Sequence, residues 1–151
     1  MALSGINGLN GPDGPLRNLA DGETLGVEIQ DNTSIFTIYG KSATGELVEK
    51  ERVQYIDSDN DGTADDMITE TKEYDEKGNL VKHTVSHDYG MDGSFELVET
   101  SEYHNENKWT YTTNFSDFGG LNEIDIVEFE NNKIISKSVD YDKDGIIDEY
   151  K

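Results

Sequence analysis

Arg52-Val53-Gln54-Tyr55-Ile56-Asp57-Ser58-Asp59-Asn60-Asp61-Gly62-Thr63-Ala64-Asp65-Asp66-Met67-Ile68-Thr69 carries two short apolar runs joined by an acidic segment. Val53 and Tyr55 alternate with Arg52 and Gln54, the period of two that a half-buried strand requires. Between the runs Asp57, Asp59 and Asp61 alternate, Gly62 follows, and Asp65 stands at the ninth position. Unneutralised, such carboxylates repel: two unit charges about 4 Å apart cost about 1 kcal/mol in water and about 4 kcal/mol at a surface-like dielectric. A cation relieves that crowding, and calcium takes about six to eight oxygens from such alternating side chains and a tight glycine turn. The stretch therefore reads as strand, calcium-binding loop, strand.

The pattern returns as Asp140-Tyr141-Asp142-Lys143-Asp144-Gly145-Ile146-Ile147-Asp148-Glu149. A full EF-hand needs flanking helices and a glutamate at position twelve. Position twelve here is Ile68 or Lys151, and the flanks read as strands, so the EF-hand is excluded. Asp65 and Asp148, at position nine, take the bidentate role, with Asp66 or Glu149 assisting. A weaker loop, Asp88-Tyr89-Gly90-Met91-Asp92-Gly93-Ser94-Phe95-Glu96, keeps Asp88, Asp92 and Glu96 but has Gly90 at the third position. The segment Asp117 to Glu123 keeps too few carboxylates and reads as a plain glycine turn.

Working outward, Tyr74-Asp75-Glu76-Lys77-Gly78-Asn79-Leu80 has counterparts beginning at Tyr103 and Phe129 and a longer version from Tyr39 to Leu47. Each is an aromatic, a polar turn, then an apolar residue; Asn and Gly suit such turns because they tolerate positive φ. The acidic loops alternate with them, their glycines at Gly62, Gly93, Gly120 and Gly145. The repeat unit is strand, tight turn, strand, acidic loop. Strands are predicted near 24–30, 34–40, 46–56, 66–75, 79–87, 95–104, 107–115, 122–130 and 132–139, with a tail at 146–151. The fold class is all-β: an antiparallel hairpin meander of nine or ten strands, an open twisted sheet or a barrel, with the calcium loops at one end. The segment Phe95 to Thr100 has no cleanly apolar face, which favours a thin sheet.

Thirty-three Asp and Glu against twelve Lys and Arg give a formal charge of −21, and the mean hydropathy is −0.73. Nucleic acid is excluded as a partner, because phosphates need basic contacts. No apolar run approaches the roughly 20 residues of a membrane helix. The chain has no cysteine, so no disulfide holds it. Residues 1–23 hold both prolines and read as a flexible N-terminal arm, with Leu3, Ile6 and Leu9 its apolar contacts; residues 24–151 form the β-repeat domain. The start, Met1 to Gly8, lacks the basic and apolar regions of a secretory signal. His83 and His87 are about 13 Å apart along one strand, too far to share a zinc ion. No nucleophile elbow, zinc-protease motif, phosphate loop or dinucleotide fingerprint is present, and an enzyme is not expected. Trp109, Tyr111 and Phe115 alternate on one face, as core residues or as a sugar-binding strip.

The Asp-x-Asp-x-Asp-Gly-x-x-Asp loop between strands resembles the calcium loops of bacterial secreted and surface repeat proteins. It is similar to those of FG-GAP repeats and, more loosely, to thrombospondin type 3 and dockerin loops. Tyr74-Asp75-x-x-Gly78-Asn79-Leu80 resembles a YD-type repeat. The resemblance implies Asp57, Asp59, Asp61, Asp65, Asp140, Asp142, Asp144 and Asp148 as ligands, with Thr63 and Ile146 through backbone carbonyls. It implies a secreted or cell-surface bacterial protein that binds calcium as a structural element. The expected role is a calcium-stabilised fibre or biofilm-matrix protein whose copies join at sheet edges; the alternative is a monomeric module for adhesion or carbohydrate binding, with a cell-surface glycan as partner.

Overall fold

The computed structural model describes residues 17–151. Residues 1–16 of the expected arm, with Leu3, Ile6 and Leu9, lie outside the described residues. Ten strands follow in order: β1 (Thr24–Gln30), β2 (Thr33–Lys41), β3 (Leu47–Ile56), β4 (Asp66–Tyr74), β5 (Leu80–Tyr89), β6 (Leu97–Tyr103), β7 (Lys108–Phe115), β8 (Ile124–Glu130), β9 (Lys133–Asp140) and β10 (Glu149–Tyr150). They form one sheet in sequence order, and every neighbouring pair is antiparallel. β1 and β10 do not pair, so the meander is open, which resolves the choice left by the sequence. Among the described residues there is no helix.

Turn chemistry sets the register. Asn131 and Asn132, at φ 51° and 62°, link β8 to β9. A two-residue turn with both φ values positive matches the right-handed twist of the strands it joins. The turns at 42–46 and 75–79 share one geometry. Ser42 N–H donates to Glu46 O and Gly45 N–H to Ser42 O; Asp75 N–H donates to Asn79 O and Gly78 N–H to Asp75 O. Register shifts beside three tight turns leave Lys50, Val81 and Ile135 without a partner across the ladder. Such bulges increase local twist. The final strand is shorter than expected because the last acidic loop extends to Asp148, whose N–H donates to Val139 O.

Packing is concentrated at one side of the ribbon. Phe36, Val53, Tyr55 and Met67 form the core, and Leu25 of β1 packs on it with Ala64 and Met91 from the first two acidic loops. Side chains alternate between faces along a strand. β2 is therefore buried on both faces, through Ile35 and Thr37 on one and Phe36 and Ile38 on the other. Across β6, β7 and β8 nearly every residue is half-buried, and each strand packs only against its neighbours in the chain. This is the thin sheet expected from the Phe95–Thr100 segment.

Arg17 lies against the sheet, its guanidinium 2.7 Å from both Glu23 Oε1 and Glu51 Oε2. Arg17 and the Ala20 N–H hold the Glu23 carboxyl down to about 2, from an ordinary 4.5. Because the folded value is the lower one, Glu23 contributes stability above about pH 4.5 and loses it as the pH falls towards 2. Melting curves of Glu23→Gln and the unaltered protein are expected to differ at pH 6 and to converge between pH 4 and 2. In the core, Ile38 is fully buried while Ile29 is 55% exposed. Ile38→Ala is expected to lower unfolding free energy by about 2–5 kcal/mol and Ile29→Ala by about 0.5 kcal/mol or less, as measured by urea denaturation.

Candidate metal sites

The meander places the connections after β1, β3, β5, β7 and β9 at one end of the sheet. Strands are about 4.8 Å apart, so successive acidic loops, two strands apart, stand about 10 Å from one another.

Three of these loops share one internal geometry. The aspartate at position one accepts the N–H of the glycine five residues on: Gly62 to Asp57 Oδ2 at 2.8 Å, Gly93 to Asp88 Oδ2 at 3.0 Å and Gly145 to Asp140 Oδ2 at 2.9 Å. The position-nine carboxylate accepts the N–H of position two: Ser58 to Asp65, Tyr89 to Glu96 and Tyr141 to Asp148, at 2.7–2.8 Å. Position five accepts the N–H of position seven: Thr63 to Asp61, Ser94 to Asp92 and Ile146 to Asp144, each at 2.8 Å. Asn60, Met91 and Lys143 at position four have φ of 54–60°, and Gly62, Gly93 and Gly145 have φ of 89–93°. The second loop has this frame despite Gly90.

The frame brings carboxylate oxygens within 4.8 Å of one another in three groups: Asp57, Asp59 and Asp61; Asp88, Asp92 and Glu96; Asp140, Asp142 and Asp148. Asp65 and Asp144 stand outside these groups, held by the N–H groups of Ser58 and Ile146. Thr63 and Ile146 lie on the closing arm of their loops, their N–H groups on Asp61 and Asp144. Asp66 and Glu149 have other partners: Asp66 Oδ1 accepts Gly90 N–H, and Glu149 accepts the Tyr141 hydroxyl. That bond is the main cause holding the tyrosine up to about 12. In the segment 117–123, Phe118 and Leu121 exchange backbone bonds across Gly119-Gly120, a two-residue turn with both φ values positive.

The donors are all oxygen, the chemistry of calcium and magnesium rather than zinc or copper. A carboxylate oxygen has two lone pairs, so one that accepts an N–H keeps a lone pair for a cation. Asp140 is 3% exposed, and its Oδ1 has no hydrogen-bond partner. A buried carboxylate oxygen without a partner is costly, and a cation shared with Asp142 and Asp148 would satisfy it. Crowding is visible in the first and last loops. At Asp59 the Asp61 N–H pulls the carboxyl down, but desolvation, the charges of Asp61 and Asp65, and Asp57 beside it leave it above its ordinary value. Asp142 is raised in the same way: the Asp144 N–H is outweighed by desolvation, the charges of Asp144 and Asp148, and Asp140. Calcium fits these residues.

The loops are also tied to each other, which their sequences do not disclose. Gly90 N–H donates to Asp65 O at 2.8 Å and Ser116 N–H to Glu96 O at 2.8 Å. Lys143 Nζ reaches Phe115 O and Ser116 Oγ. A lysine at position four only in the last loop was the one available sign of this link. His87 and His104 are engaged elsewhere, with Glu99 and Thr110, and His83 Nε2 lies 3.3 Å from Glu70 Oε1 without a hydrogen bond.

At the tight-turn end, an open groove of about 770 Å³ is lined by Tyr103, Leu80, Asp75, Asn79, His104 and Asn105, among others. Tyr103, Trp109 and Phe129 stack across β6, β7 and β8, the last two at 4.0 Å and 3°. Stacked rings present their faces to one another, so Trp109 offers no open platform to a sugar. Phe115 stacks with Phe118, and the Tyr111 hydroxyl donates to Glu99.

Gly145 has φ 91° and open space around a would-be Cβ, so a side chain there costs backbone conformation alone. Gly145→Ala is expected to destabilise the protein by about 1–2 kcal/mol, measured by chemical denaturation in chelator. Comparison with protein-family models, curated proteins and solved structures gives no match for this chain.

Proposed function

We propose that the protein is a calcium-binding structural element of the bacterial exterior, a thin β-ribbon stiffened by metal along one end and used in a surface fibre or biofilm matrix. The observation that carries this reading is the recurrence of three carboxylate groups, each within 4.8 Å, at one end of one sheet. The ligands are Asp57, Asp59, Asp61 and Asp65 in the first loop and Asp140, Asp142, Asp144 and Asp148 in the last, with the Thr63 and Ile146 carbonyls. The loop of Asp88, Asp92 and Glu96 binds more weakly, because Gly90 supplies no oxygen from a side chain at the third position. Exposed loops of this kind fill at about 10⁻⁴–10⁻³ M, the range of extracellular calcium modules; this supports a location outside the cell.

A second reading, a monomeric adhesion or carbohydrate-binding module with structural calcium, is favoured by the groove beside Tyr103. An aromatic side chain flanked by Asn79, Asn105, His104 and Asp75 is the mixture of apolar surface and converging polar groups that a glycan needs. A glycan array separates the two readings.

Calorimetric titration with calcium is expected to show at least two ions bound. A ligand at about 100 times its dissociation constant stabilises the fold by about 2.7 kcal/mol per site, so excess chelator is expected to lower the melting temperature by about 5–10 °C per site. No heat of binding at millimolar calcium, together with an unchanged melting curve in chelator, overturns the proposal.

A further inference from the structure

We propose that copies of this chain join head to tail, the outer edge of β1 in one copy pairing with the open part of the β9 edge in another. This rests on the reading of the protein as a structural element that joins at its sheet edges, and it assigns the two surfaces that meet.

Among the described residues no strand pairs with the outer edge of β1. On the far side β10 pairs only with Ser138 and Val139, and the Lys151 N–H adds a bond to Lys137 O. Lys133–Ser136 therefore have an unpaired outer edge. An unpaired edge presents N–H and C=O groups that template another strand. Away from strand ends, the exposed large aliphatic residues are Val27 and Ile29 in β1 and Ile134 and Ile135 in β9, at 41–55% exposure. Apolar surface is thus left open at both margins of the ribbon.

Charge selects which edges meet. β1 carries one charged residue, Glu28, while β9 carries Lys133 in its open part and Lys137 directly beside it. Neither lysine forms an ion pair among the described residues. Pairing β9 with β9 sets lysine against lysine, and pairing β1 with β1 sets glutamate against glutamate; like charges opposite one another destabilise a sheet. Only the mixed pairing opposes unlike charges, in a chain whose total of −21 otherwise drives copies apart. Because the joint uses two different surfaces, every added copy leaves one of each free, and the assembly is an open chain.

Sedimentation and light scattering across a concentration series, in millimolar calcium, test this. Glu28→Lys is expected to weaken association at least about fivefold, and Lys133→Glu with Lys137→Glu to do the same. Combining all three restores association, because the opposed charges are exchanged. A monomer at all concentrations, an unchanged Glu28→Lys variant, or a triple variant that stays apart overturns the joint. Circular dichroism checks that each variant is folded. Independently, amide exchange of the unaltered protein is expected to slow with concentration at 24–30 and 133–136; protection elsewhere alone also overturns it. Calcium titration of the unaltered protein over the same concentration series keeps the two readings apart: binding without association rejects only the joint, and association without binding rejects only the metal.

Discussion

The bond from a glycine N–H to the carboxylate five residues before it, at Gly62 to Asp57, Gly93 to Asp88 and Gly145 to Asp140, is the constraint on which the acidic end depends. It closes each loop while the backbone turns through a positive φ that glycine accepts readily. It also occupies one oxygen of the first carboxylate; the other accepts the Asp61 N–H at Asp57 and the Asp92 N–H at Asp88, and is without a partner at Asp140. Sheet and site are therefore one design, since the turn that reverses the chain also gathers the carboxylates.

Charge and packing divide the molecule unequally. Its dense core lies under β1 to β4, where Ala64 and Met91 tie the first two loops to Phe36, Val53, Tyr55 and Met67. The last loop has no such anchor in that cluster and is fastened by polar links instead, with Lys143 on Phe115 and Ser116 and Tyr141 on Glu149. Asp140, buried beneath it, retains an unpartnered oxygen. The C-terminal hairpin thus joins one fully buried apolar side chain, Val139, to a set of polar fastenings.

The strands were legible because period-two alternation and turn residues are local signals. Nine long strands fall within about three residues of the positions read from the chain, and Asn131-Asn132 and Gly78 form turns for the reason anticipated. The three carboxylate groups were legible from spacing alone. Closure of the sheet was not, since nothing local states whether β1 meets β10. The length of β10 was also hidden, because Asp148 serves equally well in pattern as loop or strand. The burial of Asp140 and the bonds from Gly90 to Asp65 and Ser116 to Glu96 join residues distant in sequence and leave no periodic trace. The aromatic row failed as a sugar platform for a similar reason: alternation places Trp109 on a face but does not reveal that Phe129 covers its ring.

A sheet in which each strand touches only its chain neighbours has a mechanical consequence. Tension applied across the strands peels such a ribbon one hairpin at a time, as a zipper opens, rather than shearing all its ladders together. The loop-to-loop bonds lie across that line of peeling at every second hairpin, so they act as periodic stops, and rupture would proceed in steps set by the spacing of the acidic loops.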